Sequence, residues 1–156
     1  MNIFTEASGS LVSAALIKSL KDAGLCVIAS DVTERNAGGL LADKYISVPD
    51  KDNENLWQTL KELLATNKIN WVIPSYDEML SGWSERDEEF NSEGIKLLIS
   101  PHKTIDTFLD KWKTYNAFVH SGMPVPKTSL QKKYQMIKPR QGRGSQGITI
   151  TDKTDV

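Results

Sequence analysis

The chain has 156 residues, 39% of them hydrophobic and 25% charged, and a formal net charge of −1. That length suits one domain, or one domain with part of a second, and the near-zero charge offers no global field for nucleic acid or an anionic membrane. A single cysteine excludes an intrachain disulfide and a thiolate metal cluster. The two histidines lack metal-ligating spacing, and no apolar stretch is long enough to span a bilayer.

The opening MNIFTEASGS lacks the basic start and long apolar core of a secretory signal, so a cytoplasmic location is the expectation. Asn2–Thr5 reads as a strand. Leu11, Val12, Ala15, Leu16 and Leu20 then recur at helical spacing up to Gly24, which suits a helix C-terminus. The apolar run 25–30 predicts a buried parallel strand, with Cys26 as a core thiol and not a nucleophile. A small glycine-bearing helix or turn at 37–42 leads to a short strand at 45–48. Leu56, Leu60, Leu63 and Leu64 mark one face of a helix over 53–67, and strands follow at 70–74 and 95–99 around a polar helical region. The acidic run Glu85–Glu89 has no fixed ligand spacing and reads as a solvated helix face.

This β/α alternation predicts a parallel sheet covered by helices over residues 1–100. Ligands of such sheets gather at the carboxyl ends of the strands, here Thr5–Ser10, Asp31, Pro74–Asp77 and Ser100. A dinucleotide site is disfavoured, because the first turn has one glycine where the fingerprint needs three. Beyond Pro101 the pattern becomes one or two helices up to Ser121, with the aromatics Phe108, Trp112, Tyr115 and Phe118 as expected core residues. Met123–Lys127 is an extended connector, because each proline biases its predecessor away from helix. The expected division is thus a first domain at 1–100, a helical linker at 101–126 and a second domain starting at 127.

Charge shifts along the chain. Residues 50–100 carry 11 acids and 5 bases, whereas residues 101–150 carry 2 acids and 9 bases, so the second half is suited to an anion. Within it lies a G-x-G-x-x-G at Gly142, Gly144 and Gly147. In a dinucleotide fold such glycines open a helix, but Ile148–Thr151 alternate and are β-branched, as in a strand. A P-loop needs Lys followed by Ser or Thr after its last glycine, and Ile148 stands there. Strand, glycine loop and strand remain: a flap whose small residues let backbone N–H groups approach phosphate oxygens. Ser145 can add a donor, and Lys138 can present an ammonium just before the loop. In protein kinases the corresponding lysine follows the glycines. The alternative is a plain glycine-rich hairpin tip.

Asp110-Lys111 heading a helix, Ser121–Thr128, Ile137-Lys-Pro139 and Gly142–Gly147 together resemble the opening of an ATP-grasp domain, as in carboxylate–amine ligases and the carbamoyl-phosphate synthase large chain. Residues 1–109, with Asp31, Gly38-Gly39, Ala42–Lys44 and Pro74…Asp77-Glu78, resemble the α/β domain that precedes it. The resemblance implies a Rossmann-like pre-ATP-grasp domain followed by the truncated start of an ATP-grasp domain. It also implies that Lys111 and Lys138 bind nucleotide, with Gly142, Gly144, Ser145 and Gly147 over the β- and γ-phosphates. The stretch Ser129–Gln135 is too short for the small helix usual there. The implied parent enzyme uses ATP and magnesium to convert a carboxylate into an acylphosphate that an amine attacks, and a homodimer is among its possible assemblies. The magnesium and adenine sites are expected outside this chain, which should hold no cofactor tightly and contains no metal site. The competing reading is a non-catalytic α/β module that binds a small molecule or a partner chain.

Overall fold

The computed structural model describes residues 1–151, which divide into two compact units, Met1–Ile99 and a second beginning at Ser100. The first unit contains β1 (Asn2–Thr5), α1 (Ser13–Asp22), β2 (Cys26–Asp31), α2 (Ala37–Leu41), β3 (Lys44–Ser47), α3 (Leu56–Thr66) and β4 (Trp71–Ile73). A 3-10 turn (Asp77–Met79), α4 (Leu80–Glu85), α5 (Asp87–Ser92) and β5 (Lys96–Leu97) complete it. All five strands are parallel, in the order β3-β2-β1-β4-β5. This is the winding of a Rossmann-like sheet, and its order reverses at β1. The expected parallel sheet is therefore present, with its strands within a few residues of the predicted positions.

Two apolar layers cover the sheet. On one side Leu56, Leu60 and Leu64, spaced four apart, bring α3 against Phe4, Ile28 and Val72. Trp83 and Phe90 close that layer, with ring centroids 5.3 Å apart, and Trp57 meets Trp83 edge-on at 5.0 Å. The other layer is smaller and consists of Ile17 from α1 against Val27 and Ala29 of β2. Asp43 ties this layer together: one carboxylate oxygen accepts the Val27 N–H at 2.8 Å and the other pairs with Lys21 at 2.9 Å.

Three expectations are corrected here. Leu11 and Val12 lie before the helix and are exposed, Leu11 fully so at 101%. The helix starts at Ser13, whose hydroxyl is buried on the Ala7 carbonyl at 2.6 Å, so polar anchoring and not the leucine sets the start. Cys26 is exposed because it opens β2 opposite Asn2, one residue ahead of the buried run Val27–Ser30. The aromatic residues after Pro101 are not core residues either.

The second unit contains α6 (His102–Leu109), α7 (Lys111–His120) and an antiparallel hairpin of β6 (Met136–Ile137) and β7 (Thr149–Ile150). Met136 pairs with Ile150 and Ile137 with Thr149, and no helix occurs over 129–135. Phe108 packs on Phe118 at 5.7 Å and Trp112 stacks on Tyr115 at 5.3 Å. Neither helix buries a residue, because two helices and one short hairpin provide no second layer to cover them.

Candidate functional site

In the first unit, the point where strand order reverses lies between the carboxyl ends of β1 and β4. Glu6 follows β1 and turns its side chain inward, leaving the residue 6% exposed. Its Oε1 accepts the Tyr76 N–H at 3.3 Å, and its Oε2 accepts the Trp83 indole N–H at 3.0 Å. The Ser75 hydroxyl donates to the Glu6 carbonyl at 2.6 Å. Burial pushes the Glu6 carboxyl up to about 7, against the opposing pull of the Trp83 and Tyr76 hydrogen bonds. The crevice position that a ligand occupies in many Rossmann-like sheets thus holds a carboxyl group of the chain itself.

The adjoining loop is also closed on itself. Asp31, placed where a ribose-binding acid would stand, accepts the Gly9 N–H at 2.8 Å and the Thr33 N–H at 3.2 Å. Gly38 of α2 lies so close to this loop that an added Cβ would come within 2.1 Å of the Ser8 carbonyl oxygen. Asn36 caps α2 by accepting the Gly39 N–H at 2.8 Å, and the Ser8 hydroxyl also donates to its side chain at 3.0 Å. These contacts agree with the missing glycines: the loop binds its own residues where a dinucleotide fold would take a pyrophosphate.

In the second unit, the candidate residues converge on the glycine loop between β6 and β7. Lys111 is the first residue of α7, and its ammonium donates to the Gly142 carbonyl at 3.0 Å. Its backbone N–H donates to the Arg140 carbonyl at 2.9 Å. Lys138 directly follows β6 and is exposed, with no hydrogen bond or ion pair among the described residues. The loop backbone has positive φ at Gly142 (118°), Gly144 (60°), Ser145 (60°) and Gly147 (70°). Gly147 is doubly constrained: besides its φ, a Cβ there would lie 2.7 Å from Cγ of Pro139. A side chain at the return to β7 would therefore be strained on both counts.

Asp110 and Arg140 were not singled out from the sequence as partners. Asp110, 5% exposed, caps α7 by accepting the Trp112 and Lys113 N–H groups at 2.8 and 3.2 Å. It also receives Arg140 through both Nε and Nη2. The Arg140 guanidinium holds the Asp110 carboxyl below the usual carboxylate range. The signal available in the sequence was the Asp-Lys pair heading a helix, but its partner lies 30 positions away. The acidic run contains no ligand cluster: Glu89 pairs with Lys61 at 2.6 Å, and no group of His, Cys, Asp or Glu among the described residues could hold a metal ion.

The first unit is thus a Rossmann-like parallel sheet, and the second carries a hairpin with a glycine loop. Residues 8–98 match the family described as PylC-like, N-terminal domain, and the chain belongs to it. Residues 108–156 match an ATP-grasp domain. No curated protein is significantly similar in sequence.

Among solved structures, an L-amino acid ligase from Bacillus licheniformis superposes with a TM-score of 0.71 at 15% identity, over 97% of this chain and 39% of that one. The biotin carboxylase domain of Hydrogenobacter thermophilus 2-oxoglutarate carboxylase, in complex with MgADP, gives 0.67 at 16% identity, over 95% and 37%. N5-carboxyaminoimidazole ribonucleotide synthetase from Thermotoga maritima gives 0.60 at 20% identity, over 88% and 34%. At such identities the likeness establishes the fold. The chain spans about a third of the length of these structures.

Proposed function

We propose that this chain is the N-terminal portion of an ATP-dependent ligase, contributing the glycine-loop side of its nucleotide site. One observation carries the reading: Lys111 and Gly142, 31 residues apart, meet at 3.0 Å, which joins two elements that the family resemblance assigns separately to nucleotide binding. Lys138 stands at the strand end as a second cation for the phosphates. Its backbone is anchored by β6, so aiming its ammonium costs less entropy than aiming a side chain carried on the loop. The glycines and Ser145 provide a flap whose N–H groups would close over the β- and γ-phosphates of a bound nucleotide. The resemblance assigns the magnesium carboxylates to a later part of the parent, so the metal would be held there.

When bound, ATP would supply the phosphoryl group that turns a carboxylate into an acylphosphate, which an amine then attacks. The residues of this chain contribute by positioning and neutralising phosphate charge. A carbamoyl-phosphate-synthase-like reaction is the finer reading, with small carboxylate and amine substrates and a cytoplasmic parent. No helix among the described residues is long and apolar enough to cross a membrane. The self-occupied crevice around Glu6 weighs against the alternative of a small-molecule-binding module centred on the first unit. Calorimetry of the chain with MgATP tests the proposal. Binding weaker than low micromolar, no ADP release and a further loss in Lys138→Ala are expected. Low-micromolar affinity or steady hydrolysis would contradict it.

A further inference from the structure

Two cations at the root of the glycine loop are held in different ways. Arg140 is engaged with Asp110 through two nitrogens, on a carboxylate that is nearly fully buried and already fixed by two helix amides. Such a planar, bidentate pair sets both distance and orientation. Through it, and through the bond from the Lys111 N–H to the Arg140 carbonyl, the loop root is attached to the first turn of α7. Lys111 Nζ, by contrast, is exposed and rests on a single neutral carbonyl, that of Gly142. The bond to that carbonyl is charge-assisted only through its donor, whereas a phosphate chain offers the ammonium several anionic oxygens and so adds ion pairing to the hydrogen bond. The first-turn amides of α7 at Trp112 and Lys113 are already taken by Asp110, so the helix end does not compete for the anion.

We propose that Asp110 and Arg140 are positioning residues for the nucleotide site, keeping the loop root on α7 while an incoming polyphosphate draws Lys111 off the Gly142 carbonyl and frees the loop to fold over it. The ion pair is the fixed part of this device and the lysine its exchangeable part. Arg140 therefore acts through Asp110 and the backbone and does not contact phosphate. This inference rests on the nucleotide reading above but concerns residues to which that reading gives no role.

The test uses the whole 156-residue chain and sodium tripolyphosphate as the probe, followed by NMR. Arg140→Gln should speed exchange of the Lys111 amide about tenfold and weaken tripolyphosphate binding several-fold, with Arg140→Lys in between. Lys111→Met should keep the protection of its own amide yet lose binding. Unchanged resonances from the first unit serve as the folding control. If tripolyphosphate moves no loop resonance in the unsubstituted chain, the nucleotide reading fails and the exchange falls with it. If the anion binds equally well to the unsubstituted chain and to Arg140→Gln, and the Lys111 amide exchanges no faster, only the positioning role is overturned.

Discussion

Trp83 donates its indole N–H to Glu6 at 3.0 Å, across 77 positions of sequence and inside the larger apolar layer of the first unit. The other donor to this carboxylate is the Tyr76 amide, with Ser75 alongside, so the groups facing it are neutral. A buried carboxylate without a cation is costly to ionise, which sets the sign of its effect on stability. Its folded value of about 7 lies above the ordinary 4.5, so the folded state binds more protons between those values. Stability should therefore fall as pH rises from about 4.5 to 7, by about 3 kcal/mol from this group alone. Urea unfolding at several pH values, compared with Glu6→Gln, should show that the substitution removes this decline. Parallel pH profiles for the two proteins would show that Glu6 titrates normally.

Asp110 has the opposite sign. Arg140 and the two helix amides favour its charged form, so its contribution is present above the ordinary carboxylate range and is lost as pH falls through its depressed value. Asp110→Ala removes a helix cap, which typically costs about 1 kcal/mol, and also leaves Arg140 without its carboxylate. Faster hydrogen exchange at Trp112 and Lys113 is the expected result. Retained protection at both amides would show that the cap is dispensable.

Gly147→Ala should disturb the hairpin more than Gly144→Ala. Both positions have positive φ, costing roughly 1–2 kcal/mol with a side chain, but only Gly147 also faces Pro139, whereas a Cβ at Gly144 meets open space. Cross-strand NOEs between Met136 and Ile150 report the population of the paired hairpin. Equal loss in the two variants would mean that φ alone matters.

Cys26 should react with a thiol reagent in the native state at nearly the rate found in denaturant, because it is exposed at the start of β2. Reaction only after unfolding would place it inside.

In the full-length ligase proposed above, Lys138→Ala should impair the nucleotide dependence of ligation more than Arg143→Ala. Arg140→Ala should act through loss of the Asp110 pair. Equal losses from all three would point to a general basic patch.

The sheet was legible because its signals are local: apolar runs such as Val27–Ser30 and the four-residue leucine spacing of α3 depend on near neighbours. Boundaries were harder where a polar contact overrides pattern, as when Ser13 bonds to Ala7 and leaves Leu11 outside the helix. Cys26 looked buried because it leads into the buried run that begins at Val27, and one register position at a strand start reversed that. The glycine loop could be read from spacing and from the strand residues after it. Its attachment to α7 could not, since nothing in Asp110 names Arg140. Glu6 was hidden for the same reason: a lone acid after a strand looks solvated until Trp83 arrives from 77 residues away.

The strand order β3-β2-β1-β4-β5 has a consequence for synthesis. The last strand of the sheet ends at Leu97, and every partner of every strand has been made by then. Translation at about 5–20 residues per second needs several seconds more to deliver the residues from Ser100 onward. A mixed α/β domain of this size closes in milliseconds to seconds, so the sheet can be complete on the ribosome before the glycine loop has left the exit tunnel.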